Sequence, residues 1–152
     1  MDGFTLTAAE RALLSALRER GVPYLIVGLG AALLEGAPVA TQDLDLWFER
    51  IDDERIRLAA ADAGGFWIPA FGMRPPGFGG DSLARIDVVL TAHGLQPFAE
   101  EYARAVEHTV DDVAVTVLPL DRVLASKRAT NRPKDVAALP ALEATLRARD
   151  SS

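Results

Sequence analysis

Tyr24-Leu25-Ile26-Val27 is a short, unbroken apolar run, and it limits the fold more than any other stretch of the chain. Such a run reads as a buried strand, which other elements must cover. Upstream, Thr7-Ala8-Ala9-Glu10 has the spacing of a capping box, with Thr7 as N-cap and Glu10 reaching back to it. Leu13, Leu14 and Leu17 follow at helical period. Gly21 stops this helix, and Arg18 and Arg20 suit the negative end of its dipole. Downstream, Gly28-Leu29-Gly30 reads as a turn, and Ala31 to Glu35 as a short helix closed by Gly36. Further strands are expected over 43–48, 85–90 and 113–118, with an edge strand over 66–71 that tolerates Pro69. Helices are expected over 52–63, 97–106, 120–130 and 134–148. This alternation predicts an α/β (α+β) fold, a mixed sheet of about four to five strands with flanking helices. The 152 residues suit one domain, with a core over 20–120 and a helical C-terminal part over 120–148.

Composition narrows the function classes. Hydrophobic residues make up 49% and charged residues 25%, which is globular rather than disordered. The formal net charge of −6 argues against a dedicated DNA-binding protein, which would need to neutralise phosphates, and leaves room for a local basic patch. The absence of cysteine excludes disulfides, thiolate metal sites and a Cys nucleophile. Met1-Asp2-Gly3-Phe4 lacks the basic and apolar segments of a signal peptide. The longest apolar stretch, Tyr24 to Leu34, is interrupted by Gly28 and Gly30. It falls short of the roughly 20 residues that span a bilayer. The expectation is a cytoplasmic protein without a membrane partner.

Chemistry concentrates in three places. Residues two apart on a strand face the same way, so Asp43 and Asp45 share one face and Leu44 and Leu46 the other. At ~6–7 Å and an effective dielectric near 20, two such carboxylates repel by about 2–3 kcal/mol. Solvent at a strand mouth offsets this, or a divalent cation such as Mg²⁺ does. Asp87, in Arg85-Ile86-Asp87-Val88-Val89-Leu90, is a lone acid in an apolar strand and calls for a partner. That partner is either Arg85, on the same face, or a cation shared with Asp43 and Asp45. Gly28 and Gly30 allow close backbone approach to a ligand, and the helix after them offers free N–H groups to phosphate. The stretch is no dinucleotide fingerprint, because Leu33 stands where the third glycine belongs. Finally, Arg122, Lys127, Arg128, Arg132 and Lys134 make a locally basic stretch on an acidic chain. His93 and His108 read as surface histidines, and the aromatic residues Phe66, Trp67, Phe71 and Phe78 as core packing, an oligomer contact or a lid.

Together these parts resemble the nucleotidyltransferase superfamily of DNA polymerase β-like fold, in particular its minimal or toxin-like bacterial members. The resemblance rests on Val27-Gly28-Leu29-Gly30-Ala31, Gly36, Thr41-Gln42-Asp43-Leu44-Asp45-Leu46, Arg85-Ile86-Asp87, and a tail of Leu124-Ala125-Ser126-Lys127-Arg128 and Asn131-Arg132-Pro133-Lys134-Asp135. It covers about residues 20–145. It implies that Asp43, Asp45 and Asp87 hold Mg²⁺ or Mn²⁺ and carry the catalysis. It also implies that Gly28, Leu29, Gly30, Thr41, Lys127, Arg128 and Arg132 contact a nucleoside triphosphate. The implied reaction transfers a nucleotidyl group from the triphosphate to a hydroxyl of a protein, RNA or small molecule. Leu29 stands where relatives carry Gly or Ser, and Ala40 where several carry arginine. These departures motivate a second expectation: a catalytically degenerate protein of the same fold that binds a nucleotide, or an antitoxin-like partner.

Overall fold

The computed structural model describes residues 4–151. Helix α1 (Ala8–Glu19) starts where the capping box places it. The Glu10 amide donates to Thr7 Oγ1 at 3.1 Å, and the Thr7 amide donates to Glu10 Oε1 at 2.9 Å. Its leucines Leu13, Leu14 and Leu17 are fully buried. The chain then runs through β1 (Tyr24–Val27), α2 (Gly28–Leu34), β2 (Leu44–Phe48) and α3 (Glu54–Asp62). Next come β3 (Phe66–Ile68), β4 (Gly77–Gly79), a 3₁₀ turn at Asp81–Leu83, and β5 (Ile86–Val89). It ends through α4 (Phe98–Tyr102), β6 (Val106–Val110), β7 (Val113–Val117), α5 (Leu120–Thr130) and α6 (Pro133–Asp150).

Five strands form one mixed sheet in the order β5-β2-β1-β7-β6. The β1/β2 and β6/β7 pairs are antiparallel, and β1/β7 and β2/β5 are parallel. The expected α/β architecture with C-terminal helices is therefore present. Helices α1 and α3 pack on each other, and α2 packs on α5, which in turn carries α6. On β2, Leu44 and Leu46 are fully buried while Asp45, between them, is only partly so. Among the described residues no helix is long and apolar enough to cross a membrane.

Three expectations are corrected. The segment 97–106 is helical only over Phe98–Tyr102; from Val106 it is strand β6. This strand pairs with β7 through a two-residue turn, Val110↔Val113, in which Asp111 and Asp112 take φ 50° and 68°. Both central residues are left-handed, the geometry of the tight hairpin turn that matches strand twist. The expected edge strand over 66–71 shortens to Phe66–Ile68 and pairs with β4 in a separate two-stranded sheet. There Trp67 and Phe78 meet edge-on at 5.1 Å between centroids, and both lie against Phe48, so these two aromatic residues are core packing. Lastly, no separate turn precedes α2: Gly28 itself opens the helix.

Candidate active site

The parallel pairing of β2 with β5 sets Asp45 directly opposite Asp87. Register partners on adjacent strands project from the same face, about 4.8 Å apart along the sheet. At that separation and an effective dielectric near 20, two carboxylates repel by roughly 3 kcal/mol before solvent screening. Asp43, one residue ahead of β2 and exposed, adds its charge to both. Burial pushes the Asp45 carboxyl above its ordinary range, and Asp87 and then Asp43 push it further, against the opposing pull of Lys127 and Lys134. Asp87 is more exposed; partial burial raises it too, and Asp43 adds to that against Lys134. Among the described residues, neither Asp45 nor Asp87 has a hydrogen-bond or ion-pair partner for its carboxylate.

Arg85 does not supply that partner. It turns away to the buried Glu10, donating from Nε at 2.6 Å and from Nη2 at 2.7 Å, and its guanidinium lies over the Phe4 ring. The two acids are thus left facing outward from the sheet.

Gly28 explains why Asp45 fits where it does. Its φ is +68°, and a Cβ built there would stand 2.6 Å from Asp45 Oδ2. Glycine is needed both for the backbone and for the space. Gly30 is under neither constraint: it lies outside the left-handed region, and a Cβ there would make ordinary contacts, 3.6 Å from the Asp43 carbonyl and 3.8 Å from the Phe4 ring. Leu29 is half-buried and is not part of the cleft wall, so it does not plug the site. Thr41 acts on the backbone of Asp43, accepting from its amide at 3.1 Å.

A cleft of about 610 Å³ opens beside these residues. Val27, Gly28 and Asp45 form one side, the segment from Val89 to Leu95 another, and Ser126, Lys127, Ala129, Thr130 and Arg132 the wall contributed by α5 and the corner after it. Of the residues expected to hold a triphosphate, Gly28, Lys127 and Arg132 reach the cleft, and Leu29, Gly30, Thr41 and Arg128 do not. Arg128 instead donates to Glu143 on α6 at 2.6 Å and lies on the exposed side of α5. Arg122 is likewise committed elsewhere, to the buried Glu101 at 2.7 Å.

Two features lay outside the sequence reading. His93 is exposed, as expected, but stands on the cleft. Its loop is pressed onto α5, since a Cβ on Gly94 (φ +75°) would come 2.5 Å from Ala129 Cβ and 2.9 Å from the Ala125 carbonyl. His108 is not a free surface histidine: its Nε2 lies 2.6 Å from Oε2 of the buried Glu35.

The chain matches no protein-family model and no curated protein. Among solved structures it is similar to an antigenic nucleotidyltransferase-like protein from Paracoccidioides brasiliensis. The two superpose with a TM-score of 0.50 at 16% sequence identity, over 91% of this chain and 78% of the other. The likeness is one of fold. The chain has a nucleotidyltransferase-like fold, with a cleft lined by Asp45, Lys127 and Arg132; Asp87, in register with Asp45, and Asp43 stand outside the cleft lining.

Proposed function

We propose that the cleft binds a nucleoside triphosphate with a divalent cation and transfers its nucleotidyl group to a hydroxyl acceptor. The observation that carries this reading is a cleft that Asp45 shares with Lys127 and Arg132, with Asp87 set in register beside Asp45. The donor set fits Mg²⁺ or Mn²⁺: hard carboxylate oxygens, mutually repelling, with no protein partner among the described residues. No three His, Cys, Asp or Glu side chains among the described residues stand arranged to enclose a metal by themselves. That is compatible with Mg²⁺, which is commonly held by one or two carboxylates plus substrate phosphates rather than by an all-protein cage. When bound, such an ion neutralises phosphate charge and polarises the phosphorus centre.

The chain's own residues divide the remaining work. Asp45 and Asp87 would hold the ion, with the charge of Asp43 acting on both. Lys127 and Arg132 bind the triphosphate from the helical wall. Gly28 leaves Asp45 its room. The acceptor oxygen bonds to the α-phosphorus, the bond to the bridging oxygen breaks, and pyrophosphate leaves with its electron pair. The acceptor proton passes to Asp87, the more exposed carboxylate, and from there to water. Chemistry of this kind depends on positioning and charge neutralisation.

The test is incubation with labelled nucleoside triphosphates, Mg²⁺ or Mn²⁺, and protein, RNA and small-molecule acceptors. Wild type is compared with Asp45→Ala. Metal-dependent label transfer that Asp45→Ala abolishes is the expected result; no difference across the panel refutes it. A second reading, nucleotide binding without transfer, is motivated by Leu29 and Ala40, which stand where relatives carry Gly or Ser and arginine. It is separated by calorimetry: binding of Mg²⁺-triphosphate with no turnover on any acceptor identifies it. An antitoxin-like protein partner remains part of that reading, tested by co-purification.

A further inference from the structure

The corner between α5 and α6 is built around one carboxylate. Asp135, near the start of α6, is fully buried. Its Oδ1 accepts from Lys127 Nζ at 3.0 Å and from Arg132 Nη2 at 3.3 Å. Its Oδ2 accepts from Arg132 Nε at 2.8 Å and from the Thr130 hydroxyl at 2.5 Å. These contacts use the roughly four lone-pair positions a carboxylate has. Despite its burial, its donors hold Asp135 well below the ordinary carboxylate range. It is therefore charged, saturated and closed to solvent, and has no capacity to take a proton from a substrate.

All three of its donors line the cleft. Lys127 is buried, and its charge is felt at Asp45. An ammonium on a flexible four-carbon stem settles on the nearest free carboxylate unless something holds it. In this cleft the free carboxylate is Asp45. Asn131 turns the chain in the left-handed conformation (φ 53°) and Pro133 opens α6, so the corner brings Asp135 back against α5.

We propose that Asp135 is a positioning residue: it tethers Lys127 and Arg132 on the helical wall, so that both cations face a bound triphosphate instead of neutralising the acids across the cleft. The proposal rests on the triphosphate reading of the site and assigns the residue that sets its basic wall. Asp135→Asn frees Lys127 to swing toward Asp45 and weakens phosphate binding and metal binding together.

The experiment titrates inorganic tripolyphosphate, a probe free of base preference, in Mg²⁺ buffer. The proteins are wild type, Asp135→Asn, Lys127→Gln/Arg132→Gln, and the combination of all three, each with its melting temperature. The expected result is a loss of roughly tenfold or more in affinity for Asp135→Asn in the wild-type background. No further loss is expected when Lys127 and Arg132 are already gone; the melting temperature falls in the wild-type background, and does not fall in the doubly substituted one, where Asp135 is a buried charge without its cations. An equal loss in both backgrounds, or none, overturns the tether and leaves a merely structural clasp. Wild-type protein that binds no tripolyphosphate sinks the triphosphate site and the tether with it. If Asp135→Asn does not fold, the wild type still decides the matter. Lys127 and Lys134 are the only lysines in the sequence, so the ammonium ¹H–¹⁵N signal of Lys127 is assignable by its loss in Lys127→Gln. A slowly exchanging Lys127 signal is expected; exchange as fast as that of Lys134 overturns the proposal.

Discussion

Replacing Gly28 by alanine isolates the link between backbone geometry and the acidic pair. At φ +68° an L-residue carries the left-handed penalty of roughly 1–2 kcal/mol. The new Cβ would also stand 2.6 Å from Asp45 Oδ2, so the carboxylate must leave its position. Forcing a partly buried side chain off its preferred rotamer adds about 0.5–1.5 kcal/mol. The combined cost is about 2–3 kcal/mol, a fall of roughly 5–10 °C in melting temperature for a chain of this size. Gly64 supplies the control, since its φ is +82° and a Cβ there would meet nothing within 4 Å. Gly64→Ala therefore carries the backbone strain alone, roughly 1–2 kcal/mol. Thermal denaturation of both variants gives the difference, and calorimetry with Mg²⁺-ATP and Mg²⁺-GTP gives its functional counterpart. Gly28→Ala is expected to bind nucleotide roughly tenfold more weakly, the equivalent of ~1.4 kcal/mol, and Gly64→Ala as wild type does. Equal melting temperatures for the two variants, with unchanged binding in Gly28→Ala, refute the contact.

Further outcomes follow from the charges. Asp45 and Asp87 both have raised pKa values, so their ionised forms are disfavoured in the fold. Their contribution to stability is full below the unfolded carboxylate range and is lost as pH rises through the raised values. Asp87→Asn removes one charge, so without divalent metal it is expected to gain up to about 1 kcal/mol near neutral pH, discounted for the exposure of Asp87. The same variant is expected to lose the increase in melting temperature that Mg²⁺ gives wild type, and thermal scans with and without Mg²⁺ check both signs. Arg128→Ala removes an exposed pair with Glu143 and is expected to cost no more than about 1 kcal/mol and leave nucleotide affinity unchanged. A tenfold loss of affinity in that variant contradicts the assignment of Lys127, rather than Arg128, to the cleft.

Much of this arrangement is visible in the residues alone, for identifiable reasons. Helix α1 and strand β1 are legible because one carries a capping box and the other an unbroken apolar run, both local signals. Strand β6 is not, because Glu107 and Thr109 occupy its exposed positions and its hairpin turns on Asp111-Asp112, without glycine. The glycine pair ahead of the acids is misleading as a turn, since only Gly28 uses the left-handed region, while a Cβ on Gly30 would meet ordinary contacts alone. At the site, period two puts Asp43 and Asp45 on one face, but only strand register sets Asp45 against Asp87. The basic stretch reads as a cluster in one dimension, whereas the helix turns Arg128 outward and Lys127 inward. Asp135 looks like an ordinary first-turn acid of α6; its role depends on a corner that brings it back to a lysine eight residues earlier.

The most direct measurement is a crystal of the protein soaked with Mn²⁺ and non-hydrolysable analogues of ATP and GTP, with the metal located by its anomalous scattering. The account predicts an ion bridging the carboxylates of Asp45 and Asp87 and a triphosphate laid against Lys127 and Arg132. An analogue bound elsewhere, or bound in the cleft with no metal at the aspartate pair, contradicts it.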